Sequence, residues 1–184
     1  IPSFSDKDYE KAKDSGAVDD YAIVDILGYA YKSDKLKRLG SAVGRANDKF
    51  RKISNQRLLE GRLPEAENEI AIESEALKKL DYRNASVGST ISLKFMVQNA
   101  QGYAQTVDKE YVVTGILKDK KSNIGYSFFS YDEYDTSIPA IFVADNTILE
   151  SGGKAKQIAY LEGTQKRNNT FNDYLAKNYG EDLE

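Results

Sequence analysis

Side chains that could do acid-base or nucleophilic chemistry at neutral pH are scarce in this sequence. Its 184 residues include 29 acids and 26 bases but no histidine and no cysteine. Without histidine, the Ser-His-Asp, Cys-His and histidine-metal arrangements are excluded, and no remaining side chain has an ordinary pKa near neutrality. Without cysteine, thiolate chemistry and disulfides are excluded as well. Most hydrolase designs therefore do not apply to this chain.

One tetrapeptide has the spacing of a serine-lysine nucleophile motif. Ser151-Gly152-Gly153-Lys154 matches S-x-x-K, but that motif needs a helix to bring the lysine over the serine, and two glycines disfavour a helix. The same residues are not a phosphate-binding loop, because position 148 is isoleucine and Lys154 precedes an alanine. The pattern predicts a turn, and no nucleotide or other cofactor is expected.

The region from residue 125 to 135 contains three acids and five aromatic rings. The acids lack the alternating ligands and turning glycine of a calcium loop, so we predict no metal site. Rigid aromatic rings with polar tips are common in recognition surfaces, which makes this "aromatic segment" a candidate partner contact. In the alternative interpretation, the two phenylalanines fill the core and the tyrosines cover its edge. The candidate contact residues are Tyr126, Phe128, Phe129, Tyr131 and Tyr134.

Charge is unevenly distributed along the chain. The net charge is only −3, yet residues 32–62, here named the basic segment, hold ten bases against three acids. Such a segment could bind an anionic lipid, a wall polymer or another polyanion. Alternatively, acids from the flanking sequence compensate it in the folded protein, which is the interpretation we favour; nucleic acid is not among the predicted partners. The bases are Lys32, Lys35, Lys37, Arg38, Arg45, Lys49, Arg51, Lys52, Arg57 and Arg62.

Local patterns predict the elements that must position these side chains. Apolar residues make up 40% of the chain, and a chain of this length buries about 70% of its unfolded surface, so a core is expected. No apolar run reaches the roughly 18 residues of a membrane span. We expect Leu58 and Leu59 to enter the core. The predicted elements are a helix from a Ser5 capping box to Gly16, strands at 21–31, 69–72, 139–143 and 157–161, a helix capped by Ser74, a hairpin of 90–95 with 111–117, and a helix from a Thr170 capping box to Gly180.

The order of these elements is typical of an α+β fold. A helix and a strand begin the chain, a strand-rich region follows, and a strand and a helix end it. We therefore predict a mixed sheet with helices packed on one face, formed by the terminal segments, plus an inserted β-rich subdomain. The predicted subdomains are residues 1–50 with 138–182, and residues 51–137. The two terminal strands are expected to pair.

Three stretches, taken together and in order, resemble a known family. They are "LLEGRLPEAENEIAIESEALKKL" at 58–80, "VGSTISLKF" at 87–95 and "YVVTGILKD" at 111–119. This ensemble is similar to the extracytoplasmic core domain of MacB-like, FtsX-type ABC transporter permeases. The similarity covers most of residues 55–180, with Thr114 inserted before the glycine of the last stretch. The matching residues are Gly61, Arg62, Glu69, Leu77, Leu80, Val87, Gly88, Thr90, Ile91, Val112, Val113, Gly115, Ile116, Lys118 and Asp119.

The resemblance implies a non-catalytic role outside the cytoplasmic membrane. Residues 1–184 would then be a single extracytoplasmic domain fragment, anchored by flanking transmembrane helices, with ATP hydrolysed by a separate cytoplasmic subunit. The domain would transmit conformational change or contact an extracellular protein, peptide or lipoprotein, and its motif residues would be scaffold. Absence of cysteine with abundant lysine, asparagine and tyrosine favours a Gram-positive source. Two alternatives stay open: a free-standing secreted module that binds cell-wall polymer or peptide, and an enzyme that uses a carboxylate pair.

Overall fold

The computed structural model describes residues 5–32, 40–120, 139–147, 151–153, 155–163 and 168–179. Helices are interspersed along the chain with strands that form one mixed sheet, which confirms the predicted α+β class. In chain order they are α1 (Asp6–Asp14), β1 (Val18–Tyr31), β2 (Gly40–Ala46), α2 (Asp48–Ile53), β3 (Leu58–Gly61), β4 (Glu69–Glu73), α3 (Ser74–Lys79), β5 (Thr90–Gln98), β6 (Ala104–Leu117), β7 (Ile141–Val143), β8 (Lys156–Gly163) and α4 (Asn168–Tyr179).

The sheet closes on itself. Its strand order is β2-β7-β4-β6-β5-β1-β8, and a further pairing joins β2 to β1. Six strands therefore form a ring in which β4–β6 and β2–β7 are parallel and the other pairs antiparallel. Two strands lie outside the ring, β8 along β1 and β3 along β6. Closing a sheet satisfies its edges. Among the described strands, β8 and β3 are the ones that lie at an outer edge.

Alternate residues of each ring strand face two different apolar clusters. In β4, Ile70 and Ile72 belong to a cluster with residues from all six ring strands, whereas Ala71 belongs to a second cluster with Phe50 of α2. The same alternation in β7 separates Ile141 from Phe142. Because strand side chains point alternately to opposite faces, the first cluster fills the ring and the second lies outside it, under α2. The side chains of α3 join the interior cluster.

Two predicted strand pairings are confirmed. The hairpin forms between β5 and β6, in continuous register from Thr90 opposite Val112 to Gln98 opposite Ala104, so its turn is shorter than the 98–106 loop that composition indicates. The terminal strands pair as well, with β1 antiparallel to β8 over Val18–Ile26. Whether residues 51–137 form a separate subdomain stays a prediction, although the ring draws strands from both predicted parts.

Local capping signals predict one of three helix starts correctly. At α1, the Ser5 hydroxyl accepts from Asp8 N–H and the Asp8 carboxylate accepts from Ser5 N–H, as the capping box requires. At α3, the predicted Ser74 cap is wrong: Glu73 occupies the N-cap without a side-chain bond, and the Glu75 N–H donates to Asp119 Oδ1 at 2.8 Å instead. A carboxylate 44 residues away in sequence thus replaces the local hydroxyl.

The predicted start of α4 is also wrong. The helix begins at Asn168, which places Thr170 inside its first turn. Capping patterns read from sequence alone fix a helix boundary only to within one or two residues.

Across the described ranges, no helix combines the length and the apolar character needed to cross a membrane.

The predicted burial of Leu58 and Leu59 is wrong too. All four residues of β3 are exposed, with Leu58 41% and Leu59 61% accessible. The reason is the position of β3: among the described strands it pairs with the last residues of β6 alone, outside the ring, where its side chains are not enclosed by the ring. An apolar pair in the sequence therefore ends on the surface.

Candidate contact sites

The aromatic segment lies outside the described residues, but the described residues on either side of it both bond to one buried residue, Glu73. Glu73, 1% exposed at the end of β4, accepts the Lys120 backbone N–H through Oε2 at 3.2 Å. Its own N–H donates to Ala140 O at 2.9 Å. The described residues on either side of positions 121–138 therefore converge on Glu73. Whether Tyr126, Phe128, Phe129, Tyr131 and Tyr134 contact a partner stays a prediction.

Lys120 carries a buried amine at this position. Its Nζ lies 5.5 Å from the centre of the Phe50 ring and has no hydrogen-bond partner among the described residues. Burial lowers the pKa of Lys120, and the negative charge of Glu73 opposes that shift. Removing an ammonium from water favours its neutral form. Lys120, the last described residue before the aromatic segment, is thus packed against α2.

The predicted motif residues assemble a rigid loop between β3 and β4. The Arg62 guanidinium donates to both oxygens of Glu69, at 2.8 and 2.5 Å, and Glu69 Oε2 also accepts the N–H groups of Glu65 and Ala66. The side-chain bond from Arg62 is the largest of the contributions that lower the pKa of Glu69 to about 2. A two-pronged guanidinium-carboxylate pair fixes both side chains. Arg62 and Glu69 therefore bind each other, which is the kind of contact expected if the motif residues are scaffold.

Two motif glycines allow β3 to approach β6 closely. Gly61 has φ of 76°, and a Cβ there would lie 2.1 Å from Thr114 O. A Cβ at Gly115 would lie 2.4 Å from Arg62 O and 2.8 Å from Leu58 Cδ1. Neither position has room for a side chain, and the first also needs a left-handed backbone. These residues shape the loop and leave no reactive group.

Most described bases of the basic segment are neutralised by acids elsewhere in the chain. The favoured interpretation, compensation in three dimensions, therefore holds for them, whereas Lys35, Lys37 and Arg38 lie outside the described residues. The pairs are Lys32–Asp81 at 2.5 Å, Arg45–Asp25 at 2.8 Å, Lys49–Asp20 at 2.7 Å, Arg51–Asp48 at 3.0 Å with Asp145 at 3.4 Å, and Arg62–Glu69 at 2.5 Å.

A polar and aromatic contact joins α1, β1 and α2. The Tyr21 hydroxyl donates to Asp6, and this bond raises the pKa of Tyr21 to about 12. The rings of Tyr9 and Tyr21 lie 4.7 Å apart, and Lys49 Nζ sits 4.8 Å from the Tyr21 ring while it pairs with Asp20. A cation over an aromatic face is attracted to it. One lysine of α2 thus links the first helix to the first strand.

The two terminal helices share one small apolar cluster. Ala12 of α1 is buried there with Ala17 and Val18, and Tyr174 of α4 and Leu161 of β8 pack against them. Because β1 and β8 are adjacent and antiparallel, the helix before β1 and the helix after β8 lie at the same end of this strand pair. The first and last helices of the described chain are therefore neighbours.

The described residues of the S-x-x-K stretch make structural contacts. Ser151 lies in a turn and donates to Gln98 O at 2.8 Å, and Gly152 pairs with Asn99. Lys154 lies outside the described residues, so the turn over the whole stretch stays a prediction. No group of three acids that could hold a metal ion occurs in the described part of the chain.

A mainly apolar cavity of about 20 Å³ opens on the ring interior beside Val97 and Tyr111. This volume is enough for about one water molecule.

The exposed apolar residues were not found by sequence reasoning. Among the described residues, the large hydrophobic side chains that remain exposed are Leu58, Leu59 and Tyr103, the last 73% accessible at the β5–β6 turn. Hydrophobicity alone predicts that such residues are buried. The one signal in the sequence that could have indicated an outer strand is the Gly61 turn directly after the leucines.

Comparison with protein-family models and with curated proteins gives no match to this sequence. Solved structures do match. The extracellular domain of the noncanonic ABC-type transporter YknZ from Gram-positive bacteria is 12% identical, with a TM-score of 0.46 over 96% of this chain and 84% of that one. The periplasmic region of MacB from Actinobacillus actinomycetemcomitans is 12% identical, with a TM-score of 0.43 over 98% and 76%.

A third structure, a domain of a protein described as a permease from Porphyromonas gingivalis, is 11% identical with a TM-score of 0.43. The match covers 88% of this chain but only 65% of that one. The similar solved structures are thus domains of permeases and ABC transporters, as the resemblance of the sequence motifs led us to expect.

Proposed function

We propose that this chain is a non-catalytic extracytoplasmic domain of an ABC transporter permease, held at the outer surface of the cytoplasmic membrane by flanking transmembrane helices. The observation that carries the proposal is the shared cluster of α1 and α4 around Ala12 and Tyr174. A domain inserted between two membrane helices must return to the membrane close to the point where it left it. Neighbouring first and last helices meet that requirement.

The proposed role is to relay motion. A movement of either membrane helix would reach α1 or α4 first, then β1 and β8, whose ladder runs from Val18 to Ile26. From residue 24 onward β1 is also paired in the closed ring, so displacement of the terminal helices would move the ring as a body. Packed elements transmit displacement because a close-packed interior has little compressibility.

The proposed partners follow from this geometry. The remainder of the permease and its cytoplasmic ATPase subunit would act at the α1–α4 end. An extracellular protein, peptide or lipoprotein would contact the aromatic segment, whose nearest described neighbours in the chain, Lys120 and Ala140, bond to Glu73. The compensated charges of the basic segment disfavour the alternative of a free wall-polymer module. Binding of a polyanion by long-range charge would need bases that are not already paired.

A cysteine-labelling experiment tests the location. Since these residues include no cysteine, Tyr103→Cys at the exposed β5–β6 turn gives the domain one reactive thiol in the full-length protein. A membrane-impermeant maleimide added to intact cells should label it. Leu93→Cys, 1% exposed in the ring interior, is the matched control and should react only after denaturation. Labelling of Tyr103→Cys only after the cells are opened would overturn the proposal.

A further inference from the structure

The outer edge of β3 is an exposed apolar surface that the scaffold role does not use. Residues 57–62 are exposed without interruption, although β3 is hydrogen-bonded to β6 on its other edge. Outer strands of natural sheets are usually protected by charge, by a bulge or by a covering element, because a bare edge attracts another chain. Here two adjacent leucines occupy the middle of the strand.

A bulge gives these leucines their positions. Leu58 lies opposite Leu117 and Glu60 opposite Ile116, so Leu59 is the extra residue of β3. Leu58 covers Gly115 with its Cδ1 atom, whereas Leu59 is more exposed, at 61%. A bulge interrupts the ladder and re-aims side chains. Contact at this edge would therefore be made by side chains rather than by a continued run of backbone hydrogen bonds.

The charges on either side of the leucines complement each other. Arg57 precedes them and Glu60 follows them, and neither forms an ion pair in the part of the chain that the structure describes; the Arg57 Nε donates only a long bond of 3.4 Å to Asn55. This distinguishes them from the neighbouring Arg62, which is committed to Glu69. The sequence Arg-Leu-Leu-Glu is its own complement when two copies run antiparallel.

We infer that β3 is a contact between two copies of this chain, related by a twofold axis that passes between Leu58 and Leu59. In that arrangement the leucines of one copy pack against those of the other, and Arg57 of each copy faces Glu60 of its partner. A twofold contact repeats every interaction, so one complementary pair in the sequence gives two ion pairs in the dimer. A heterologous partner would have no reason to match this internal symmetry.

The contact is small, which fixes its strength. The surface that a four-residue strand can bury is far smaller than the roughly 1,000 Å² of buried area at which stable interfaces begin. The isolated chain should therefore associate weakly, and sedimentation analysis must extend to about 1 mM protein, where an interaction of about 4 kcal/mol becomes visible. Confinement in a membrane would raise the local concentration and favour the same pairing.

Charge reversal tests the inference directly. Arg57→Glu and Glu60→Arg should each weaken self-association roughly tenfold, because two symmetry-related attractions become repulsions. The double variant Arg57→Glu/Glu60→Arg should restore it, and an unchanged far-ultraviolet circular dichroism spectrum checks that each variant is folded. Association that is unaffected by either single reversal, or that is not restored in the double variant, would overturn the inference.

Cross-linking tests the register. In the full-length protein in its membrane, a mixture of Leu58→Cys and Leu59→Cys chains should form a disulfide between copies under mild oxidation, since bonding requires Cβ atoms about 3.8 Å apart. Tyr103→Cys, which is more exposed than either leucine and lies on the β5–β6 turn, is the control. A rate no greater than that of the control, or capture of a different protein in place of a second copy, would reject a dimer at β3. Neither outcome affects the proposed extracytoplasmic location.

Discussion

The ring and the terminal helices are held by different forces. In the ring, residues such as Ile70, Ile72 and Val113 are fully buried on closed strands. At the α1 end, a small apolar cluster around Ala12 is supplemented by a tyrosine pair, a lysine over an aromatic ring and hydrogen bonds among exposed side chains. Apolar burial is insensitive to salt and acid, whereas exposed charge pairs are screened and titrate. The contacts of the terminal helices should therefore be more sensitive to salt than the apolar interior of the ring.

The largest expected effect comes from the ring interior. Ile72→Ala removes a fully buried side chain from β4, and the resulting cavity should lower the free energy of unfolding by about 2–5 kcal/mol. Urea unfolding measured by circular dichroism would report it. Leu59→Ala, in the exposed β3, is the matched control and should change stability little at concentrations where the chain is monomeric. A similar loss in both variants would mean that β3 is not outside the core.

Filling the closest backbone approach should have the next largest effect. Gly115→Ala would place a methyl group 2.4 Å from Arg62 O, and the forced shift of β3 should cost about 1–3 kcal/mol. Gly102→Ala is a contrasting control, since a Cβ there meets nothing within 4 Å although its φ of 85° is strained. Hydrogen exchange of the Arg62 amide, which bonds to Thr114 O, should become faster in Gly115→Ala. Unchanged exchange would contradict close packing of β3 on β6.

The Arg62–Glu69 pair should make stability depend on acid. The pKa of Glu69 falls from an ordinary 4.5 to about 2 in the folded protein, first because Arg62 donates to it. Its stabilisation is therefore complete above pH about 4.5 and is lost as pH falls toward about 2, where the folded carboxylate takes up a proton. Glu69→Gln should flatten this part of the stability-pH curve. The control Glu67→Gln, in the same loop, should keep the wild-type slope; flattening by both would point to a general charge effect.

The smallest effect should be at the link between α1 and α2. Lys49→Met removes the pair with Asp20 and the cation over Tyr21, and because these groups are partly exposed the loss should stay below about 1 kcal/mol. Hydrogen exchange in α1 should increase, and the difference from wild type should shrink in high salt. Lys94→Met, whose pair with Asp108 is 3.9 Å long on the ring, should leave α1 unchanged. A larger increase of hydrogen exchange in the ring than in α1 after Lys49→Met would contradict the idea that Lys49 holds the terminal helix.

Sequence reasoning was most successful where the deciding contacts are short-range. The Ser5 capping box needs only residues three apart, and the β5–β6 hairpin follows from alternation around one turn. It was least successful in the basic segment, where β2 and α2 were not predicted. Gly44 in β2 lies against Pro139 and the Asp25 carbonyl, so the strand is built from small residues that fit distant neighbours and has no apolar period of its own.

The helix cap and the outer strand show the same limitation. Asp119 caps α3 from the end of β6, and Ser74, which has the preferred residue type, does not. Leu58 and Leu59 have the composition of core residues but belong to a strand that the closed ring leaves outside. Burial depends on which strands become neighbours, and that choice is made by contacts far apart in the chain.

The amino-acid sequence by itself determined the α+β class, the hairpin and the exclusion of histidine and cysteine chemistry, because composition and local periodicity are properties of the chain alone. Only the tertiary structure decided that the sheet closes, that acids elsewhere in the chain neutralise most of the described bases, that Lys120 and Ala140 both bond to Glu73 and that two leucines face solvent. Each of these depends on which remote segments share an edge or a face, and the free energy of such contacts exists only in the folded chain.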